Sequence, residues 1–266
     1  MIAIEARDIT KSFGTAQVLK SISLAAEKGD VISIIGASGS GKSTFLRCLN
    51  LLEAPDRGEI RVGEEHLKIG DGAKLDRKQV ERIRRRVAMV FQSFNLWHHM
   101  TVAGNVIEAP IHVHGRPHAE AMEEAMALLA KVGLSHRANA YPSQLSGGEQ
   151  QRAAIARALA VHPSVILFDE PTSALDPELV GEVLSVMQGL AAEGRTMIIV
   201  THEMAFARDV STRTLFLCEG RIEEEGDSPE LFGAPKCPRL QQFLACFRTG
   251  RFTAHKQRAT VPTDPQ

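Results

Sequence analysis

The sequence contains 266 residues, 44% of them apolar and 24% charged, with 31 Lys and Arg residues against 32 Asp and Glu residues. This composition argues against intrinsic disorder, and the net charge of −1 lacks the basic excess of proteins that neutralise nucleic-acid phosphates. At roughly 150 residues per domain, the length allows one large domain or two small ones.

The sequence shows neither a membrane span nor a secretion signal. No stretch approaches the roughly 18 consecutive apolar residues that cross a bilayer, and charges from Glu5 onward replace the apolar core of a signal peptide. We therefore expect the protein to stay inside the cell. The cysteines lack C-x-x-C spacing and predict neither a zinc site nor a disulfide framework.

The first predicted elements are strands. Alternation over residues 2–9, a turn through Gly14 and a second alternating run over residues 18–24 indicate half-buried antiparallel strands. Residues 31–35 are instead almost continuously β-branched, which is typical of a parallel strand covered on both faces. The chain is therefore predicted to pass from a small antiparallel sheet into a parallel one.

A glycine-rich segment follows the strand at 31–35 and precedes a helical pattern. Its residues are Gly36, Ala37, Ser38, Gly39, Ser40, Gly41, Lys42, Ser43 and Thr44. In this context G-x-x-x-x-G-K-S predicts a phosphate loop whose N–H groups point at a nucleotide, aided by the helix dipole. Lys42 is expected to reach the β and γ phosphates and Ser43 to hold Mg²⁺. The alternative is a Gly/Ser-rich linker.

The middle of the chain has a helical pattern. Apolar residues recur at helical spacing over 118–132, with charged residues on the opposite side. We predict a helical subdomain inserted into the catalytic core at about residues 93–150, opening after Gln92 and closing at a helix that begins near Gly147.

A second glycine-rich turn leads into that last helix. It comprises Leu145, Ser146, Gly147, Gly148 and Glu149. Because one nucleotide already has its loop, a second helix N-terminus suited to phosphate suggests a nucleotide bound by a partner subunit. The alternative is an ordinary helix start capped by Ser146.

Two more apolar runs, at 165–168 and 196–200, predict buried strands with a helix over 178–192 between them, which is a βαβ crossover. Polar residues follow both strands at the sheet edge where ligands of such folds collect. Asp169 suits Mg²⁺, held through water, and Glu170 suits the polarisation of an attacking water. His202 is interpreted as a sensor of the γ phosphate. The alternatives are solvated acids and a structural histidine.

Taken in order, these motifs resemble the ABC transporter ATPases. The resemblance rests on the loop at 36–44, Gln92 after an apolar strand, the turn at 145–149, the Asp-Glu strand end, Ser173-Ala-Leu-Asp176 and His202. It covers about residues 1–247, and we expect 248–266 to form a flexible tail. Segments at 91–102, 108–110, 176–183 and 223–227 resemble the polar amino-acid importers, whose nearest members serve histidine, basic amino acids and opines.

The resemblance implies further site residues. Gln92 would contact Mg²⁺ and sense the membrane subunit, and the turn from Ser146 to Glu149 would close on the γ phosphate of the opposite protomer. Asp176 would lie along the dimer interface. Phe13 stands where the family places an aromatic ring on adenine; tyrosine is commoner there, but stacking needs only a π face.

The resemblance also implies the fold and the partners. We expect one α/β domain with a RecA-like P-loop parallel sheet, an N-terminal antiparallel β subdomain and the helical insert. Two copies would sandwich two ATP and drive import through transmembrane permease subunits, fed by an external solute-binding protein, at the cytoplasmic face of the inner membrane. Exposed Phe94, Leu96 and Trp97 would suit the membrane partner, although packing within the subdomain is an equal alternative.

Three other functions are weighed against import. A soluble ABC-type ATPase acting on nucleic acid or ribosomes usually carries two cassettes or a long insertion, and this chain has one cassette and a near-neutral charge. A small phosphotransferase would use the phosphate loop alone and leave the second turn and Asp176 unexplained. Export within the same family is the third alternative.

Overall fold

The computed structural model describes residues 1–70 and 75–248, so the expected tail lies outside the described residues except for Arg248. The strands are β1 (Ile2–Phe13), β2 (Ala16–Glu27), β3 (Val31–Ile35), β4 (Arg57–Val62), β5 (Glu65–Ile69), β6 (Val87–Val90), β7 (Val165–Asp169), β8 (Met197–Val200), β9 (Arg213–Cys218) and β10 (Arg221–Asp227). The α-helices are α1 (Lys42–Leu49), α2 (Arg77–Arg86), α3 (Val102–His112), α4 (His118–Lys131), α5 (Gly147–Leu159), α6 (Pro177–Ala192), α7 (Met204–Val210), α8 (Ser228–Gly233) and α9 (Pro238–Arg248). The described strands form two sheets, and the α/β fold class is confirmed.

The first sheet is antiparallel, with strand order β2-β1-β4-β5. Its first two strands are longer than the alternation predicted, because irregular pairing interrupts the two-residue period. Asp8 and Ser21 adopt positive φ angles, and the Ser21 hydroxyl donates to the Asp8 carboxylate at 2.7 Å. The register shifts between Ala6 and Ile9. An irregularity of this kind moves the side chains that follow it to a new phase, so the alternation ends while the strand continues.

The second sheet has the order β10-β9-β3-β8-β7-β6 and is parallel from β9 to β6. Every residue of β3, β6, β7 and β8 is buried, which confirms the buried strands predicted at 31–35, 165–168 and 196–200. Val200 pairs with Ile34 on one side and with Asp169 on the other. The carboxyl ends of β3, β8 and β7 therefore lie level at one edge of the sheet.

Each face of the parallel sheet has its own apolar core. One face, with Val90 and Phe168, packs against α3, α4, α5 and α6. The other face, with Ile32 and Ile198, packs against α1 and the antiparallel sheet. The predicted helical pattern between β6 and β7 is confirmed, and its helices share one core with the sheet.

We expect Leu129→Ala to destabilise the fold by about 2–5 kcal/mol, because the side chain of Leu129 on α4 is fully buried and its removal leaves a cavity. Met126→Ala on the same helix is the matched control, since Met126 is 38% exposed, and it should cost less than about 1 kcal/mol. Urea unfolding followed by circular dichroism measures both variants. Equal unfolding midpoints would contradict the placement of α4 against the sheet.

Candidate functional site

The glycine-rich segment forms a tight loop between β3 and α1. Gly36 has φ 150° and Gly41 has φ 103°, both in the region that favours glycine. A Cβ on Gly36 would clash with the carbonyl oxygen of Leu217, and one on Gly41 would lie 2.9 Å from Leu19 Cδ2. These glycines are therefore required for the loop to pass between β9 and β2.

Lys42 turns back into this loop. Its side chain is almost fully buried, and Nζ donates to the carbonyl oxygens of Gly36 and Ala37, both at 2.9 Å. Burial lowers the pKa of Lys42, and the charges of Glu170 and Asp169 oppose this effect. An ammonium group has three donors, so these two carbonyls leave one for a phosphate oxygen.

Asp169 ends β7 and is buried beside α1. Its Oδ2 accepts a hydrogen bond from Arg47 at 3.3 Å. Its Oδ1 is buried and has no partner among the described residues, which is costly for a carboxylate unless a cation is bound. A carboxylate oxygen of this kind suits the all-oxygen coordination of Mg²⁺, for which Ser43 and Gln92 are the other predicted ligands.

Glu170 follows Asp169 but lies in a different environment. Its φ of 49° is left-handed, and its N–H donates to the Val200 carbonyl at 2.9 Å. His202 Nε2 lies 3.1 Å from Glu170 Oε1. This hydrogen bond is the main cause that lowers the pKa of Glu170, with the His202 and Lys42 charges adding to it and burial opposing it. The carboxylate is partly exposed and thus accessible to water.

The turn at 145–149 forms a capping box at the start of α5. Ser146 Oγ accepts the Glu149 N–H at 3.2 Å, and Glu149 Oε2 accepts the Ser146 N–H at 2.8 Å. Arg137 Nε donates to the other Glu149 oxygen at 3.0 Å. Burial raises the pKa of Glu149, but these bonds outweigh it and the pKa ends below its ordinary value. This geometry favours a capping role for Glu149, since a carboxylate lacks donors for phosphate.

The structure brings together some predicted site residues and separates others. The loop at 36–44, Asp169, Glu170 and His202 share one sheet edge. Within the described parts of the chain, no hydrogen bond or ion pair links the turn at 145–149 to that loop. The turn lies instead against the start of α6: a Cβ placed on Gly148 would be only 3.2 Å from Leu179 Cβ.

The remaining predicted residues are at the surface. Gln92 follows β6 and is exposed, and Asp176 is the exposed N-cap residue of α6 without a side-chain capping bond. Phe13 ends β1 and is 48% exposed, with the Lys11 ammonium 5.0 Å from its ring centroid. Leu96 was expected to be exposed, and this is wrong: it is 5% exposed because it packs into the core beneath the helices.

Sequence reasoning missed long-range partners of the predicted segments. Arg47 binds Asp169, Arg137 binds Glu149, and Gln151 and Arg157 bind the loop after β6. These partners lie from 12 to 122 residues apart in the chain. No local motif signals contacts over such separations.

Comparisons with known proteins agree with the motifs. A family profile described as ABC transporter matches residues 19–173. The chain is 60% identical over 245 residues to the nopaline permease ATP-binding protein P of Agrobacterium fabrum, covering 90% of this chain and 95% of that protein. It is 60% identical over 250 residues to the arginine/ornithine transport ATP-binding protein AotP of Pseudomonas aeruginosa, covering 92% and 98%.

A solved structure is also similar. It shows the ATP-binding cassette MJ0796 in a dimeric post-hydrolysis state bound to ADP and phosphate, with a TM-score of 0.73 and 35% identity over 85% of this chain and 98% of that chain. In the described part of the present chain, no helix is both long and apolar enough to cross a bilayer.

We expect His202→Ala to raise the pKa of Glu170, because it removes the hydrogen bond that chiefly lowers it. Folding that lowers a carboxylate pKa stabilises the native state above the unfolded pKa, and this contribution is lost as the pH falls through the lowered value. A ¹³C NMR titration of the glutamate carboxyl groups in both proteins measures the shift. An unchanged Glu170 titration would show that the two side chains do not interact in solution.

Proposed function

This chain belongs to the ABC transporter ATPases, and we propose that it is the ATP-hydrolysing subunit of an importer for basic amino acids or opines. The pairing of Glu170 with His202 beside the buried Lys42 carries the proposal for hydrolysis. The domain would span residues 1–247, with the helical subdomain at about 93–150. The near-neutral charge gives no support to a nucleic-acid partner.

The residues at the sheet edge divide the work on ATP. The N–H groups of residues 36–44 and the Lys42 ammonium would bind the substrate phosphates. Mg²⁺, when bound, neutralises charge on the phosphate oxygens, and Ser43, Gln92 and Asp169 would hold it. Glu170, ionised at neutral pH, would accept a hydrogen bond from the attacking water, and His202 orients its carboxylate.

A second copy of the chain completes this proposal. The turn at 145–149 makes no described bond to its own phosphate loop, and Asp176 is exposed beside it. We infer that Ser146, Gly147 and Gly148 meet the γ phosphate on the partner protomer. The dimeric state of the similar cassette supports this arrangement. Phe13 would contact adenine through the exposed face of its ring.

Transport requires membrane partners. The similar nopaline and arginine/ornithine proteins are named as permease or transport ATP-binding proteins. We infer that this chain lies at the cytoplasmic face of the inner membrane, bound to permease subunits that receive their solute from an external solute-binding protein. Gln92 and Trp97 would contact the permease, since both are exposed in the loop after β6.

We expect Glu170→Gln to lower ATP hydrolysis about 10²- to 10⁴-fold while ATP binding and ATP-dependent dimerisation remain, because only the acceptor for the water proton is lost. Phosphate release, nucleotide binding and size-exclusion chromatography with light scattering measure the three properties. Glu203→Gln is the matched control, since Glu203 accepts a hydrogen bond from Thr172 instead.

Hydrolysis by Glu170→Gln at the parental rate would contradict the assignment of the base. The dependence on enzyme concentration separates the dimer from a monomeric phosphotransferase. A dimer gives activity that rises more steeply than linearly at low concentration, whereas a monomeric enzyme gives a linear rise.

Replacing the chain by its Glu170→Gln form in the source cells should abolish uptake of the transported solute. Labelled arginine, ornithine, histidine and nopaline are the probes, since the similar transporters suggest these chemical classes. Loss of uptake for one group identifies the substrate class. Unchanged uptake of all four would retain the ATPase and discard the assigned substrates.

A further inference from the structure

Helix α5 holds the loop that follows β6 at two separate points. Gln151 is fully buried, and its Nε2 donates to the Phe91 carbonyl at 3.3 Å. Farther along the same helix, the Arg157 guanidinium donates to the carbonyls of Phe94 at 3.1 Å and Asn95 at 2.6 Å. Gln92, which we propose as a Mg²⁺ ligand, lies between Phe91 and Phe94 in this loop.

The Arg157 contact is unusual because the cation has no carboxylate partner among the described residues. Burial lowers the pKa of Arg157, and the described acceptors of its guanidinium are these two backbone carbonyls. Phe94 and Asn95 have φ angles of 59° and 52°. Both lie in the left-handed region, which asparagine tolerates and phenylalanine rarely adopts. A charged fork across two carbonyls therefore holds Phe94 in a backbone conformation that its residue type does not favour.

The two ends of this assembly face different neighbours. On the outer side, the Asn105 side chain bonds the N–H and the carbonyl of Trp97, which remains 45% exposed. On the inner side, the Phe94 ring contacts the start of α5, as a Cβ placed on Gly147 would lie 3.7 Å from Phe94 Cζ. The loop thus presents the exposed Trp97 at one end and contacts the glycine-rich turn through Phe94 at the other.

We propose that Arg157 is a positioning residue that, together with Gln151, fixes residues 91–97 to α5 so that loop and glycine-rich turn move as one piece. A displacement of Trp97 by the membrane subunit would then also displace the glycine-rich turn, through Phe94 and Arg157. This inference rests on the proposed function, in which a membrane subunit contacts the loop and the turn meets ATP on the partner protomer.

Arg157→Met tests the proposal in the complex with the permease subunits, reconstituted in proteoliposomes. We expect ATP hydrolysis by the isolated chain to change less than about twofold, and its stimulation by the membrane subunits and binding protein to fall about fivefold or more. Arg157→Lys should fall between, since an ammonium group cannot span two carbonyls as the planar guanidinium does. Arg116→Met is the control, because Arg116 binds the Glu124 carboxylate and not the loop; its stimulation should match that of the parent.

Hydrogen exchange on the isolated chain gives a readout that does not need the membrane partner. Arg157→Met should speed exchange over residues 93–97 and leave residues 36–44 unchanged. Full stimulation of the Arg157→Met complex, or unchanged exchange over 93–97, would overturn the positioning role. Faster exchange along the whole of α5 would also overturn the positioning role, because it would show that Arg157 stabilises the helix as a whole.

The parental complex separates the two proposals. A parental chain that the permease subunits do not stimulate would contradict the proposed function, and the exchange experiment would still decide the positioning role of Arg157. A stimulated parent with an equally stimulated Arg157→Met complex would contradict the positioning role alone.

Discussion

The buried ammonium group of Lys42 is the constraint on which the site depends. A cation removed from water is costly unless hydrogen bonds and opposite charges compensate. The loop carbonyls of Gly36 and Ala37 supply the bonds, and Glu170 and Asp169 supply the charge. The loop must therefore curl back on itself, which requires its glycines, and the acids must lie at the ends of nearby strands, which requires the parallel sheet.

The two acids at the end of β7 acquire different properties from their surroundings. Asp169 is buried and tied to Arg47, one turn beyond Lys42 on α1, so its orientation follows the helix that also carries the cation. Glu170 leaves the strand with a left-handed φ, which turns it toward His202 and water. One strand end thus offers a fixed carboxylate suited to a metal ion and an ionised, accessible one suited to a proton.

Local patterns were sufficient for the predicted loop, the buried strands and the helices, because each depends on residues that are near neighbours in the chain. The burial of Leu96 was not predictable, since it depends on helices that begin after it. Likewise, the ties from Arg157 to Asn95 and from Arg47 to Asp169 join residues 62 and 122 positions apart. The full length of β1 was not predictable for the same reason, because Ser21 and Asp8, which are bonded at its irregularity, are 13 residues apart.

The geometry of α5 explains how one helix can serve both a surface and a remote turn. Four consecutive residues, Ala153–Ala156, are buried, and the three alanines among them let neighbouring elements approach the helix from several sides. Such a helix cannot shift without repacking the core. Its capping box, formed by Ser146 and Glu149, satisfies backbone N–H groups of the first helical turn. The two glycines that follow Ser146 let the glycine-rich turn lie against Leu175 and Leu179, beside the exposed Asp176. A second copy that approached this face would meet the glycine-rich turn and Asp176 together, so loop, helix and dimer contact form one continuous path.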